Sequence, residues 1–397
     1  MKRFFSFLFI SLLSFSSVCL ADNFNSPMTD AKFRAAMPAP LMIPSPPALE
    51  NSKGYVLMDA NSGQVIAQKN MNERLDPASL TKMMTLYIAF SALKSGQIHL
   101  QDEVLVSEKA WRMDGSRMFV RVGTQVPVSE LLQGIIVASG NDACVALAEY
   151  IAGNEETFAQ VMNQTAAKLG MKNTHYNDST GMPDPDHYST PYDLSLLARA
   201  LVQDFPEYYS YFKQQWYSYN KIKQPNRNLL LWRDPSVDGI KTGHTDAAGF
   251  CLVASAKRGN MRLISVVMGE PSEASRAKDS QALLTYGFRF YETHLVYKAN
   301  TPITKARVWY GQNKTIELGV AHDFYVTTQV NQFAQVKGLM SVNNKITAPV
   351  QQNTAYGSIN ASLKNKIINS APLVALANDP EGGFMSRQWD RVTGLFH

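Results

Sequence analysis

A serine and a lysine three residues apart could supply a nucleophile and its general base. Ser79 and Lys82 stand in the segment Asp76-Pro-Ala-Ser-Leu-Thr-Lys. On a helix, residues i and i+3 share a face, so the hydroxyl and the amine become neighbours. A serine needs a base to take its proton, and a lysine can serve once burial or a nearby cation lowers its pKa. The pair predicts nucleophilic catalysis, although N-capping of a helix also produces this spacing.

A second candidate is the triplet Ser139-Gly-Asn141, which follows an apolar run. A hydroxyl and an amide two residues apart, on a loop made by a glycine, could bridge a general base and a substrate carbonyl. The same triplet is also an ordinary N-cap for a helix over 142–152, and both interpretations can hold together.

A third candidate is Lys241-Thr-Gly243, which continues with His244. A lysine here could attract an anionic substrate and could lower the pKa of a second lysine nearby. Glycines around a short strand would let a peptide backbone approach and add as an extra strand. By itself the triplet is also compatible with a surface turn.

The residues around these motifs predict helices combined with hairpins. Apolar residues follow Ser79 almost continuously, which predicts a buried helix ending at Gly96. Alternating runs joined by turn residues predict hairpins near 55–67 and over 250–268. Further helices are predicted over 142–152, 155–170 and 192–203, and short β-like runs over 306–310, 323–328 and 359–363.

Composition excludes several classes of protein. The 397 residues are 45% hydrophobic and 18% charged, which excludes a disordered, collagen-like or coiled-coil chain and allows two cores. The net charge of +5 comes without a Lys/Arg-rich run, so no nucleic-acid partner is expected. The seven histidines lack metal-ligand spacing, so no metal is expected, and His175 and His187 are interpreted as loop histidines. Cys144 and Cys251 could form one disulfide or remain buried thiols.

The sequence before the first hairpin indicates processing and a linker. Lys2 and Arg3, followed by an uncharged apolar stretch to Ala21, predict a signal peptide over 1–21, with an uncleaved membrane anchor as the alternative. The segment 22–50 is predicted to be an extended leader because it contains Pro38, Pro40, Pro44, Pro46 and Pro47.

The remaining chain divides into a catalytic domain over 51–294, a small β domain over 295–379 and a tail over 380–397. If 384–396 is helical, the tail is amphipathic and could lie in a membrane surface or dock on the β domain. Its apolar side would carry Met385, Trp389, Val392 and Phe396.

In this order, the three motifs resemble those of the penicillin-recognising serine acyl-transferases. With their neighbours, including Ser139-Gly-Asn-Asp-Ala-Cys and Val237-Asp-Gly-Ile-Lys-Thr-Gly-His-Thr, they are similar to D-alanyl-D-alanine carboxypeptidases of the penicillin-binding protein 5 type. The middle motif differs, having glycine where the set has aspartate. The resemblance implies an α+β fold: a β-lactamase/transpeptidase-like domain with helices on an antiparallel sheet, a C-terminal all-β domain and an amphipathic tail helix.

The resemblance also implies roles for individual residues in trimming peptidoglycan stem peptides, without a cofactor. Ser79 would attack the carbonyl between the two terminal D-alanines, and Lys82 would be the general base. Ser139 would pass a proton to the leaving amine, and Asn141 would hold a substrate amide. The implied substrate-binding residues are Lys241, Thr242, Gly243, His244 and Arg227.

Within this set, the resemblance implies an oxyanion hole made by the N–H groups of Ser79 and His244. Thr242 and Arg227 would meet the terminal carboxylate of the substrate, and Lys241 would support the proton relay electrostatically. The implied location is the periplasmic face of the inner membrane, with the protein attached peripherally through its tail.

Alternatives remain open at this stage. Cleavage of D-alanine cross-links by an endopeptidase needs the same residues, and a non-catalytic cell-wall-binding scaffold needs none of them. Class A β-lactamases use a loop glutamate to activate the deacylating water. No glutamate occurs between Gly170 and Phe205. We therefore expect β-lactams to act as slow-leaving covalent inhibitors.

Overall fold

The computed structural model describes residues 43–393. The predicted signal peptide and the leader up to residue 42 lie outside the described residues. The described chain forms two compact units, one of residues 43–294 with 327–333 and the other of residues 295–326 with 334–393. Within 43–393, no helix combines the length and apolar character needed to cross a bilayer.

The first unit is organised around an antiparallel sheet of five strands in the order β2-β1-β9-β8-β7. The two predicted hairpins correspond to β1–β2 and β8–β9, and β7 lies at an edge. The strands of this unit are β1 (Gly54–Asp59), β2 (Val65–Lys69), β3 (Glu103–Leu105), β4 (Gln125–Pro127), β5 (Trp216–Tyr219), β6 (Ile222–Pro225), β7 (Val237–Thr245), β8 (Gly249–Arg258) and β9 (Met261–Glu270).

Helices of the first unit largely follow the sequence prediction. The patterns over 142–152, 155–170 and 192–203 correspond to α4, α5 and α6, with ends that differ by one or two residues. The helices are α1 (Lys82–Ser95), α2 (Glu108–Trp111), α3 (Val128–Gln133), α4 (Asn141–Ala152), α5 (Glu155–Lys168), α6 (Pro191–Asp204), α7 (Pro206–Tyr209), α8 (Leu230–Arg233) and α9 (Glu273–Phe290).

The long helix predicted from Ser79 begins differently. Residues Ala78–Thr81 form a 3-10 turn, and the α-helix starts only at Lys82. Gly96 ends it in the left-handed conformation, with φ of 75°, as a glycine can without steric cost. Helix α1 is buried on nearly all sides because apolar residues surround it, so it forms the centre of the larger core.

A second core lies between the sheet and α9. Leu49 is buried in it and Ile43 packs against it, while Tyr286 on α9 donates a hydrogen bond to the Pro44 carbonyl at 3.1 Å. The last residues of the predicted leader therefore pack on the first unit instead of forming a free linker.

The second unit is mostly β, as the sequence predicts. Six strands form a sheet in the order β14-β16-β17-β12-β11-β15, with buried Val308, Ile316 and Leu318 in its core. The remaining strands within residues 43–393 are β10 (Tyr291–Tyr297), β11 (Thr304–Trp309), β12 (Thr315–Gly319), β13 (Phe324–Gln329), β14 (Lys337–Val342), β15 (Ile346–Thr347), β16 (Ala355–Leu363) and β17 (Lys366–Ala375).

The chain continues into helix α10 (Phe384–Thr393). Asp390 is buried against this unit, where its carboxylate accepts a hydrogen bond from the Tyr310 N–H at 2.7 Å. Phe384 and Met385 are 71% and 82% exposed. Of the predicted apolar side, the side chains of Trp389 and Val392 and the whole of Phe396 lie outside the described part.

Candidate active site

The turn that carries Ser79 brings this hydroxyl to Lys82. Residues three apart eclipse each other in a 3-10 turn, so the spacing that would be adjacent on an α-helix becomes closer still. The Lys82 Nζ donates a hydrogen bond to Ser79 Oγ at 2.9 Å. Asp76 supports the turn by accepting the Ala78 N–H at 2.7 Å.

Lys82 is fully buried, and its other hydrogen bond is to the Thr180 carbonyl at 2.7 Å. Burial lowers the pKa of Lys82 below its ordinary value, because the charged amine loses its hydration. The charge on Arg227 lowers this pKa further, whereas Asp178 and Asp142 raise it. A larger fraction of the amine is therefore neutral, which is the form that can accept a proton from Ser79.

Ser139 lies in the bend between a π-helical turn at Gly134–Ala138 and α4, and Asn141 is the first residue of α4. Ser139 adopts φ of 59°, which ends the turn and places its hydroxyl 3.0 Å from Lys241 Nζ, the donor of that hydrogen bond. Asn141 donates from its amide to the Asp114 carbonyl at 2.6 Å. The bend thus holds both polar side chains in fixed orientations.

Strand β7 contributes the third motif along the edge of the sheet. A Cβ at Gly243 would lie 3.0 Å from the Pro77 carbonyl oxygen and 3.2 Å from the Leu80 nitrogen, so glycine permits the strand to approach the Ser79 turn. Lys241 is 3% exposed. Burial lowers its pKa well below the ordinary value, and the charge of Lys82 lowers it further.

This electrostatic result differs from the sequence-based expectation. We expected Lys241 to be the cation that lowers the pKa of Lys82, but burial is the largest cause at Lys82 and the charge of Arg227 contributes. The pKa of Lys241 is itself strongly lowered. At both lysines burial is therefore the larger cause of the lowered pKa, and the charge of a neighbouring cation is the smaller one.

A cleft of about 760 Å³ opens above these groups. The structure brings all nine predicted residues to it, with the two lysines buried beneath and the others along its wall. Wall residues among the nine are Ser79, Ser139, Asn141, Arg227, Thr242, Gly243 and His244.

Arg227 is exposed and reaches the cleft from a well-anchored loop. Its Nη1 donates to Ser116 Oγ at 2.6 Å. The flanking asparagines are buried, and Asn226 and Asn228 donate to the Gln214 and Gly239 carbonyls at 3.0 Å each. The buried neighbours therefore fix the backbone from which the exposed guanidinium extends.

Three contributors to the cleft were missed from the sequence. Arg276 is 2% exposed and donates to the Gly243 carbonyl at 3.1 Å. Ser116 holds Arg227, and Thr180 holds Lys82. Thr180 contributes through its backbone and Arg276 lies on an ordinary-looking helix, so no local pattern distinguishes them. Only Ser116 had a recognisable local pattern, because the sequence Asp114-Gly-Ser116 is typical of a turn.

The structure also shows the environments of the two cysteines and of His187, all of which are buried. Cys144 and Cys251 are both free and buried. Burial raises the pKa of Cys144 to about 12 and that of Cys251 to about 11, so both remain thiols at neutral pH. His187 lies in a loop, as expected, but it is 3% exposed and hydrogen-bonded to Thr81 at 2.8 Å.

Both units of the chain match models of known protein families. The family model described as D-alanyl-D-alanine carboxypeptidase matches residues 42–272, and the model of the penicillin-binding protein 5 C-terminal domain matches residues 291–381. The D-alanyl-D-alanine carboxypeptidase DacC of Escherichia coli is 43% identical over 355 residues, which are 87% of this chain and 89% of that protein.

Solved structures agree with this match. Penicillin-binding protein 5 from Haemophilus influenzae superposes with a TM-score of 0.78 at 42% identity, covering 85% of this chain and all of that one. Penicillin-binding protein D2 from Listeria monocytogenes, solved in an ampicillin-bound form, has a TM-score of 0.56 at 27% identity, covering 60% of this chain and 97% of that one. These matches confirm the resemblance and the α+β fold, and the chain belongs to the D-alanyl-D-alanine carboxypeptidase family.

Proposed function

We propose that this protein is a serine-type D-Ala-D-Ala carboxypeptidase that removes the terminal D-alanine from peptidoglycan pentapeptide stems. The observation that carries the proposal is the 2.9 Å hydrogen bond between Lys82 Nζ and Ser79 Oγ beside an open cleft. A buried amine next to a serine hydroxyl provides the base that this weak nucleophile requires. Membership of the family supports the choice of substrate.

Acylation begins when Ser79 Oγ attacks the carbonyl between the two D-alanines and Lys82 Nζ takes the hydroxyl proton. The backbone N–H groups of Ser79 and His244 stabilise the resulting oxyanion, and such donors contribute about 3–4 kcal/mol each in other enzymes. Ser139 relays the proton from Lys82 to the leaving amine, which returns Lys82 to its neutral form. Lys241 assists as the hydrogen-bond partner of Ser139, at 3.0 Å.

Deacylation uses the same base in a second step. After the peptide bond breaks, D-alanine departs and the shortened peptide remains as an ester on Ser79. Lys82 takes a proton from a water molecule, which attacks the ester carbonyl. Breaking the ester bond returns the proton to Ser79 Oγ and releases the shortened peptide.

Recognition of the substrate uses the polar wall of the cleft. Thr242 and Arg227 bind the terminal carboxylate, and the buried charge of Arg276 beneath Gly243 adds to the positive potential there. Gly243 allows the substrate backbone to lie along β7 as an added strand. Asn141 binds a substrate amide, and the hydrogen bond that its side chain donates to the Asp114 carbonyl fixes its orientation for this contact.

The same serine is the site at which β-lactams acylate the protein, in our proposal. Two nearby carboxylates already accept hydrogen bonds from the loop over 177–181. Asp178, within the loop, accepts from the N–H groups of Thr180 and Gly181, and Glu155, at the start of α5, accepts from the Ser179 N–H and hydroxyl. Neither replaces the loop glutamate with which class A β-lactamases activate water. We therefore expect the penicilloyl ester to persist.

The function is tested by incubating the protein with a peptide ending in D-Ala-D-Ala and measuring free D-alanine. We expect one D-alanine per shortened peptide, no release from the matching peptide ending in L-Ala-L-Ala, and full inhibition after pretreatment with penicillin. Cleavage of a cross-linked stem dimer without release from the linear peptide would indicate the endopeptidase instead. Binding of both without cleavage would indicate a scaffold.

We also propose export through the signal peptide over 1–21 and peripheral attachment to the inner membrane through α10. Phe384 and Met385 support this attachment, because they are strongly exposed apolar residues next to one another. The contact between Asp390 and Tyr310 holds the other side of the helix on its own unit, so the exposed pair faces outward.

Membrane attachment is tested by sedimenting the protein with vesicles of neutral and anionic lipids. Deleting residues 380–397 is expected to leave the protein in the supernatant, and F384S/M385S to weaken the binding while keeping the helix. Ile367→Ser is the matched control, because Ile367 is also an exposed hydrophobic residue, at 55%. Continued pelleting of the deletion variant would refute the proposal.

A further inference from the structure

A tightly folded loop over residues 177–181 lies against Ala78–Thr81, the 3-10 turn that carries Ser79. One carboxylate oxygen of Asp178 accepts hydrogen bonds from the Thr180 N–H at 2.6 Å, the Thr180 hydroxyl at 2.7 Å and the Gly181 N–H at 2.7 Å. Gly181 has φ of +88°, and a Cβ there would lie 1.8 Å from the Ala78 carbonyl oxygen. The backbone of the loop at Gly181 is therefore packed directly against the backbone of the turn at Ala78.

His187 joins this loop to the turn from a buried position. Its ring Nε2 lies 2.8 Å from Thr81 Oγ1. Its Nδ1 accepts a hydrogen bond from the Asn177 N–H at 3.3 Å and lies 3.3 Å from the second carboxylate oxygen of Asp178. The ring of Tyr176 packs edge-to-face on it, with centroids 5.5 Å apart. Each ring nitrogen thus has a polar partner, one on the turn and one on the loop.

We propose that His187 is a positioning residue that holds the Thr180 carbonyl against the amine of Lys82. Its Nδ1 contacts the loop at the Asn177 N–H and the Asp178 carboxylate. Asp178 accepts from the Thr180 N–H, and the Thr180 carbonyl accepts from Lys82 Nζ at 2.7 Å. The contact with Thr81 anchors the assembly to the turn that carries the nucleophile. The inference rests on the proposed function, because that function makes Lys82 the general base.

Two consequences follow from this connection. Without His187 the loop can move, and a shift of about 1 Å in a catalytic group can cost on the order of 10²-fold in rate. The Thr180 carbonyl also stabilises the protonated form of Lys82, so losing that acceptor lowers the pKa of the lysine further. Because the neutral amine is the base, the acid limb of the pH–rate profile moves to lower pH.

The test compares His187→Ala with His175→Ala in the full-length protein. His175 is the matched control because its Nδ1 contacts the Asp186 carbonyl, at 2.7 Å, instead of the turn. We expect His187→Ala to lower kcat about tenfold or more with KM little changed. The acid limb should shift downward, and the control should behave like the wild type. The rate of acylation by a fluorescent penicillin is followed in parallel.

Two further variants make the outcome decisive. His187→Asn keeps an amide group, which can both accept and donate a hydrogen bond, near the position of Nδ1 and should recover part of the rate, whereas a purely structural role would not favour it. Thr81→Val removes the hydroxyl at nearly constant volume and should lower kcat in the same direction, which keeps the test usable if His187→Ala unfolds.

The inference would be overturned by a particular combination of results. In this combination, Thr81→Val and the folded His187 variants have a wild-type kcat, and their acid limb does not move. Failure of the wild-type protein to release D-alanine would instead overturn the proposed function. The penicillin acylation rates would then still report whether His187 positions Lys82.

Discussion

Ser79→Ala is expected to abolish both D-alanine release and covalent labelling by penicillin. The Ser79 oxygen is the atom that forms the ester, and its base lies 2.9 Å away. Loss of the nucleophile in a serine peptidase costs on the order of 10⁶-fold in kcat. Ser139 lies in the same cleft, but the proposed mechanism gives it proton transfer to the leaving amine, so we do not expect it to substitute.

Mass spectrometry of the intact protein after exposure to penicillin measures this loss directly. Ser91→Ala is the matched control, because Ser91 is an exposed serine on α1, the helix that follows the Ser79 turn. The free energy of unfolding of Ser79→Ala should stay within about 1 kcal/mol of the wild type, since one hydrogen bond contributes that much. A penicilloyl adduct on the alanine variant would mean that another residue is the nucleophile.

Lys82→Met is expected to lower kcat/KM for D-alanine release by about 10²–10⁴-fold, the range that general-base catalysis contributes. Methionine fills most of the volume of the buried lysine, so the effect reports the lost amine more than a cavity. Lys82→Arg should be similarly slow, because a guanidinium stays protonated and cannot act as a base.

The pH dependence provides an independent check on Lys82. Its lowered pKa places the wild-type acid limb below pH 10.5, the ordinary lysine value, and activity should rise as pH rises through it. That limb should disappear in Lys82→Met. Lys94→Met is the control, since Lys94 lies at the exposed end of α1 and binds the Asp204 carbonyl at 2.7 Å. Near-normal activity of Lys82→Arg would exclude the amine as the base.

Local sequence determined much of the scaffold. The helices over 142–152 and 192–203 and the hairpin over 250–268 were predictable, because helix and strand periodicity act within a few residues. Gly96 ended its helix as expected, since a left-handed cap favours glycine. The 3-10 turn before Lys82 was not predictable, because packing of the loop near Gly181 and of β7 near Gly243 acts on it from distant parts of the chain.

The sequence by itself determined which chemical groups this site contains, since Ser79 with Lys82, Ser139 with Asn141 and the β7 lysine each follow from short motifs. Tertiary structure alone decided their electrostatic state. The pKa of Lys82 is lowered chiefly by burial, and its amine meets a carbonyl 98 residues away, while Arg276 reaches the cleft through a contact with another element. Such effects depend on desolvation and on distances between remote segments, which no local pattern of residues encodes.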